Sequence, residues 1–263
     1  MPLTALQNSI FQIIKANRSP DSFVYGAITL HADDESPRYS RDIDISHDLA
    51  DSVAKSAEAD TAALAKARLE VQWLLRQPAF QRAQVSRGAE SVVLEWVYDS
   101  AFRFFPVEED DELGYRLHRF DIATNKMLAL AGRSEPRDFV DSLYLQENYL
   151  SLGTLAWAAA GKDEGLNPVM ILEMAERFAH YRQQEIDALA LVSPLNIVEL
   201  SQKWRLAIAK GNVLISKLPA AELGCAYLNG VGEPVTPDPD SDDFKTLKRH
   251  FGSVGGAWPR LAG

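Results

Sequence analysis

Two aspartates one position apart, Asp42 and Asp44, lie in the run Arg38-Tyr39-Ser40-Arg41-Asp42-Ile43-Asp44-Ile45-Ser46. Apolar and polar residues alternate from Tyr39 to Ile45, which is the period of a half-buried strand. That period sends Asp42 and Asp44 to one face and Ile43 and Ile45 to the other. Carboxylates about 7 Å apart along a strand repel unless a cation lies between them or one stays protonated. A hard cation such as Mg²⁺ (or Mn²⁺), which takes oxygen ligands and bridges to phosphate, is the usual reason to build such a pair. The segment alone also fits an Asp-rich strand end or turn.

Three further features bear on the same chemistry. Gly26 closes a short strand and precedes Ala27-Ile28-Thr29-Leu30-His31, which reads as a helix start. A glycine there lets a phosphate approach backbone N–H groups, although a glycine after a strand is commonly just a turn. Glu95 interrupts the face Val93, Glu95, Val97 of a strongly apolar strand and needs a cation nearby. The preferred reading is a third metal ligand; a structural ion pair or an exposed sheet face are the alternatives, and Asp99 competes for the ligand role. Lys126 has only apolar residues three and four positions away, so it either snorkels to the helix edge or points into a site holding anions. In a helix starting near Pro136, Phe139, Val140, Leu143 and Tyr144 form the buried side, with Asp138, Asp141 and Ser142 opposite.

The elements that would position these groups can be read in order. Residues 3–16 form an amphipathic helix, Phe23-Val24-Tyr25 a strand, and Asp33 to Pro37 a loop. Residues 48–76, Ala-rich and free of proline, read as one long helix with Leu64, Ala67, Val71 and Leu74 on a stripe. Phe80–Val85 and Ser91–Tyr98 form a hairpin across Arg87-Gly88, and Glu108–Glu112 reads as a solvated loop. Asp121 caps a helix ending at Gly132, and Pro136 starts another to about Leu150. Asn167-Pro168 opens a helix to about Leu191, and Asn196 opens one that Pro219 stops. Cys225–Leu228 with Asn229-Gly230 suggests a small hairpin, and the Pro- and Asp-rich tail from Glu233 to Asp243 reads as loosely ordered. The expectation is an α+β fold: a mixed α/β domain over 1–150 and a mainly helical one over 151–263.

The chain has 263 residues, 46% apolar and 24% charged, enough for a folded core. A net charge of −10 argues against broad electrostatic binding to nucleic acid, though not against a local basic groove. A single cysteine excludes an internal disulfide, and neither a signal core nor a membrane-length apolar run is present. These features suggest a cytoplasmic soluble protein. Five scattered histidines do not make a zinc framework, and His47 has a structural or surface role as its plainest reading.

In order and spacing these segments resemble the nucleotidyltransferase family typified by AbiEii-type toxins of bacterial toxin–antitoxin systems. The matching residues are Gly26; Arg38, Ser40, Asp42 and Asp44; Lys126; and Arg137, Asp138 and Asp141. The resemblance spans about residues 20–150 and departs at Ala27, where members of the family carry a second glycine or a serine. It implies a nucleoside triphosphate as substrate, with Mg²⁺ held by Asp42 and Asp44 and with Glu95 as the candidate third ligand. It further implies nucleotide contacts from Gly26, Ala27, Arg38, Ser40, Lys126 and Arg137. Asp138 and Asp141 would orient Lys126 or assist the acceptor. An RNA (tRNA) or protein acceptor and a cognate antitoxin follow from the same resemblance. A phosphohydrolase or nuclease using water, and a catalytically degenerate binding protein of the same fold, are the rival readings.

Overall fold

The structure, a computed structural model, describes residues 3–30 and 36–260. In chain order the elements are α1 (Ala5–Ile14), β1 (Ser22–Tyr25), α2 (Ala27–Leu30), β2 (Asp42–His47), α3 (Ala50–Lys66), β3 (Glu70–Gln77), β4 (Phe80–Arg87), β5 (Glu90–Tyr98), β6 (Phe102–Arg103), β7 (Glu108–Asp110) and β8 (Gly114–Arg116). There follow α4 (Arg119–Gly132), α5 (Pro136–Asn148), α6 (Leu152–Ala159), α7 (Pro168–Phe178), α8 (Gln183–Asp187), α9 (Ile197–Lys217), β9 (Ala226–Leu228), β10 (Lys248–His250) and β11 (Ser253–Val254). The chain divides into two units: residues 1–101 with 106–122, and residues 102–105 with 123–263.

The first unit is built on a seven-stranded mixed sheet in the order β3-β4-β5-β2-β1-β8-β7. β2 runs parallel to β5 and β1 parallel to β8, and the other neighbours are antiparallel. Helices α1 and α3 pack on one face of the sheet. Ile43 and Ile45 of β2, Leu94 and Trp96 of β5, and Ala83 and Val85 of β4 meet Leu6, Ile10, Val53, Ala57 and Leu64 of those helices. This core fixes the register, because a one-residue slip would turn every apolar side chain outward. One polar group lies deep inside it. The Asp60 carboxylate accepts from Arg18 at 2.6 Å, from Trp96 Nε1 at 2.8 Å and from Asn17 at 2.8 Å. A buried carboxylate is tolerated on such terms, and these bonds tie α3 to both β5 and the turn after α1.

The second unit is mainly helical, with α6 packed against α7 and α9. Glycines set one of those contacts: a Cβ on Gly153 would lie 2.7 Å from the Gly211 Cα. Two short ribbons, β9 with β10 and β6 with β11, complete it. Among the described residues no helix is long and apolar enough to cross a membrane.

Several elements differ from the sequence expectation. The helix read over 48–76 ends at Lys66; Arg68 turns the chain in a left-handed conformation (φ 64°), and Glu70–Gln77 is a strand. Val71 and Leu74 share a stripe only at the helical period; in the strand Val71 and Trp73 lie beside the core and Leu74 is exposed. β2 begins at Asp42 rather than Tyr39. The acidic run is partly a strand, β7, whose Glu108 and Asp110 pair with Arg116 at 3.6 and 3.3 Å. Asp121 lies inside the first turn of α4, and His118 Nδ1 accepts from Phe120 N in its place. The helix read to Leu191 is broken into α7 and α8, and α6, buried on every side, carries no polar stripe that would mark it as a helix. β9 takes its strand partner from the distant β10, with only a bridge from Leu228 to Pro234 near the turn. Asp33–Glu35 and His31 lie outside the described residues.

Candidate functional site

In the first unit β2 carries the aspartate pair. Ile43 and Ile45 are fully buried beneath the helices, so Asp42 and Asp44 stand on the opposite face, both half-buried. The segment leading into β2 is braced from several sides. Gln7 of α1 donates through Nε2 to the Ser40 carbonyl at 2.9 Å, and the Ser40 hydroxyl donates to the Asp42 carbonyl at 3.1 Å. The Ser36 hydroxyl donates to the Arg38 carbonyl at 2.8 Å, and Arg38 Nη1 donates to the Tyr39 carbonyl at 3.2 Å. Arg38 and Ser40 are therefore buried residues with backbone partners close to the aspartates.

Gly26 sits where β1 ends opposite Asp44, at a φ of 81° that a side chain would resist. A Cβ built there would collide with the Asp44 Oδ2 and lie 3.2 Å from its Cγ. The glycine thus leaves room first of all for the Asp44 carboxylate. Ala27 begins α2 and is buried, and the Thr29 hydroxyl returns to the Gly26 carbonyl at 2.8 Å.

On the other flank, the parallel register puts Glu95 beside Asp44 and Val93 beside Asp42. Paired residues share a face, so Asp42, Asp44 and Glu95 are neighbours on the open side of the sheet. Glu95 forms an ion pair with Arg82, its register partner on β4. Sequence reading passed over Arg82, yet the two-residue turn after Arg87 sets a register in which position 82 must face position 95. Asp99 is exposed at the end of β5, and its carboxylate accepts from Ser100 N at 2.7 Å. Among the described residues no three His, Cys, Asp or Glu side chains converge as a metal-holding group. Asp42 and Asp44 carry oxygen donors of the kind Mg²⁺ prefers, beside the glycine that makes room for Asp44.

His47, at the end of β2, faces the buried side. It is fully buried, with Nε2 3.1 Å from the Ser22 hydroxyl. Burial, reinforced by the nearby Arg18 charge, lowers its pKa to about 4, so the ring is neutral in the fold.

The second unit gathers a different set. Lys126 of α4 is nearly enclosed, and its Nζ lies 3.0 Å from Asp138 Oδ1 and 2.8 Å from Asp141 Oδ2. Both aspartates belong to α5, one turn apart on one face, and both are fully buried. Arg133, between the helices, reaches the second oxygen of Asp138 at 2.7 Å. Burial would raise the Asp138 pKa, but Lys126 and Arg133 outweigh it and hold the carboxyl below its usual range. The polar side of α5, expected opposite the core, is buried as well: Asp138, Asp141 and Ser142 are all inaccessible. Arg137 is half-buried next to Asp138. The sequence-derived residues thus fall into two sets, Gly26, Asp42, Asp44 and Glu95 in one unit and Lys126, Asp138 and Asp141 in the other.

No family model and no curated protein matches this chain. Solved structures do share its architecture. MenT4, a nucleotidyltransferase toxin of Mycobacterium tuberculosis, superposes with a TM-score of 0.59 at 14% identity, over 82% of this chain and 83% of that one. A candidate nucleotidyltransferase from Helicobacter pylori superposes with a TM-score of 0.51 at 15% identity, over 83% and 99% of the two chains. JHP933, also from Helicobacter pylori, gives 0.50 at 14% identity over 82% and 95%. With its mixed seven-stranded sheet, flanking helices and helical C-terminal region, the chain has a nucleotidyltransferase-like α+β fold.

Proposed function

We propose that this chain is a nucleotidyltransferase, moving a nucleoside monophosphate from a triphosphate to an acceptor hydroxyl on RNA (tRNA) or protein. The observation that carries the reading is the placing of Asp42 and Asp44 on the open face of β2, with Gly26 clearing space for Asp44. Asp42 and Asp44 would hold Mg²⁺ or Mn²⁺, which when bound polarises phosphate oxygens and offsets charge on the leaving pyrophosphate. The β1–β2–β5 register fixes the backbone positions from which both carboxylates project. Lys126 is the proposed triphosphate contact, oriented by Asp138 and Asp141. Arg38, Ser40, Ala27 and Arg137 are proposed to line the nucleotide. The likeness to a toxin of known fold extends the proposal to a cytoplasmic toxin with a cognate antitoxin.

The test incubates the chain with each triphosphate labelled at the α-phosphate, Mg²⁺ or Mn²⁺, and total RNA and protein. Label should appear on a macromolecule with release of pyrophosphate. Asp42→Asn and Asp44→Asn should each lower turnover about a thousandfold or more while circular dichroism is unchanged. Triphosphate binding with no transfer to anything would replace the enzyme with a degenerate nucleotide-binding protein. Label recovered only as free monophosphate would point to hydrolysis instead. Growth arrest on expression, absent for Asp44→Asn, tests the toxin proposal.

A further inference from the structure

Beside the aspartate pair, the open face of the sheet carries a positive group that belongs to none of the sequence motifs. The strand registers align Tyr25, Asp44, Glu95 and Arg82 in one row across β1, β2, β5 and β4. Arg82 Nη2 pairs with Glu95 Oε1, and the guanidinium lies over the Phe80 ring, 5.4 Å from its centroid. The two paired side chains are 43% and 20% exposed, so their attraction adds little to stability. Its effect is geometric: a carboxylate and a ring fix where the guanidinium stands. Arg82 Nε is buried without an acceptor, so the donors open to a ligand are those at the outer end of the guanidinium. A guanidinium presents five donors in a plane suited to phosphate oxygens, and 43% exposure leaves this one within reach of a ligand.

Charge balance favours the same division of labour. The Glu95 carboxylate is matched by the Arg82 guanidinium. We propose that Arg82 is a phosphate-binding residue of this face and that Glu95 is its positioning residue rather than a metal ligand. Gly26 lies on the β1 flank of Asp44 and Arg82 on the β4 flank, so the phosphate that Arg82 meets is on the side away from the glycine. That phosphate belongs to the nucleotide or to an RNA acceptor. The inference rests on the nucleotidyltransferase reading above.

The experiment compares the parent chain with Arg82→Gln, Arg82→Lys and Glu95→Gln, with thermal melts to verify folding. Mn²⁺ binding is followed by electron paramagnetic resonance, ATP binding by calorimetry, and transfer to total tRNA by its KM. Arg82→Gln and Glu95→Gln should each leave Mn²⁺ affinity within about twofold and weaken one phosphate ligand about tenfold. A fall in ATP affinity assigns the phosphate to the nucleotide; unchanged ATP affinity with a raised KM for tRNA assigns it to the acceptor. Lysine at position 82 should recover part of the loss, since the charge returns without the fork. A tenfold loss of Mn²⁺ affinity in Glu95→Gln would make Glu95 a metal ligand and overturn the proposal. Unchanged ATP affinity and unchanged KM in Arg82→Gln would overturn it equally. A parent chain that binds neither Mn²⁺ nor any of the four triphosphates would instead remove the nucleotidyltransferase reading itself, and this inference with it.

Discussion

The two carboxylate sets of this molecule differ in how the fold treats them. Asp138 and Asp141 are fully buried and closed in by Lys126 and Arg133, so their charge is balanced inside the second unit. Asp42 and Asp44 are half-buried on a sheet face, set there because their strand neighbours Ile43 and Ile45 take the core. The same side chain therefore serves opposite ends. Enclosed, it fixes a lysine; presented, it offers oxygen to whatever cation arrives. A buried ion set is costly to break, whereas a presented pair is cheap to alter and, in the proposed function, decides metal binding.

The sharpest way to break the contrast is Lys126→Met. It strands two buried carboxylates, and stability should fall by about 3–5 kcal/mol, read from urea midpoints. The double variant Lys126→Met with Asp141→Asn should recover part of that loss. A Lys126→Met chain as stable as the parent would show that the cluster is not held by charge.

A second test uses the enclosed side of β2 itself. His47 has an ordinary pKa of 6.5 and one of about 4 in the fold, because burial and Arg18 disfavour its charged form. Its contribution to stability is present in full above pH 6.5 and is lost as pH falls toward about 4, amounting to about 3 kcal/mol at most. Asp138, whose pKa is lowered, acts in the same direction, its contribution fading as the medium turns acid. Replacing His47 by Gln should flatten the pH dependence of the melting temperature over that window. An unchanged slope would mean that His47 titrates normally.

The smallest effect should come from Gly26→Ala. The backbone strain at positive φ costs about 1–2 kcal/mol, and the methyl must also displace the Asp44 carboxylate. Gly88→Ala is the matched control, with positive φ but open space around its Cβ. Both should lower the melting temperature slightly, and only Gly26→Ala should weaken Mn²⁺ binding, by about tenfold. Equal Mn²⁺ binding in the two variants would detach the glycine from the aspartate.

Much of this contrast was legible in the residues, and the gaps have physical causes. Alternation along Asp42–Ile45 and the turn at Arg87-Gly88 report on local backbone geometry, and the structure has a strand and a hairpin at these places. The end of α3 was not visible because no glycine or proline marks it; Arg68 makes the turn with an ordinary side chain in a conformation few such residues adopt. Asp138, Asp141 and Ser142 read as the wet side of α5 because a polar stripe looks alike whether water or a buried lysine faces it. The partner of β9 is a strand far along the chain, which no local pattern encodes. Arg82 was missed for the converse reason: its meaning lies in the residue opposite, not in its own neighbours.

The parallel pairing of β2 with β5 carries a consequence for the newly made protein. Asp44 meets Glu95 only after α3, β3 and β4 have been synthesised and the chain has doubled back. Pairings between distant segments form late, once the entropy of closing the loop has been met. A ribosome-bound fragment ending before β5 would hold the aspartate motif without the strand beside it. Such a fragment is expected to be chemically silent, so that the proposed activity waits until the polypeptide is well advanced.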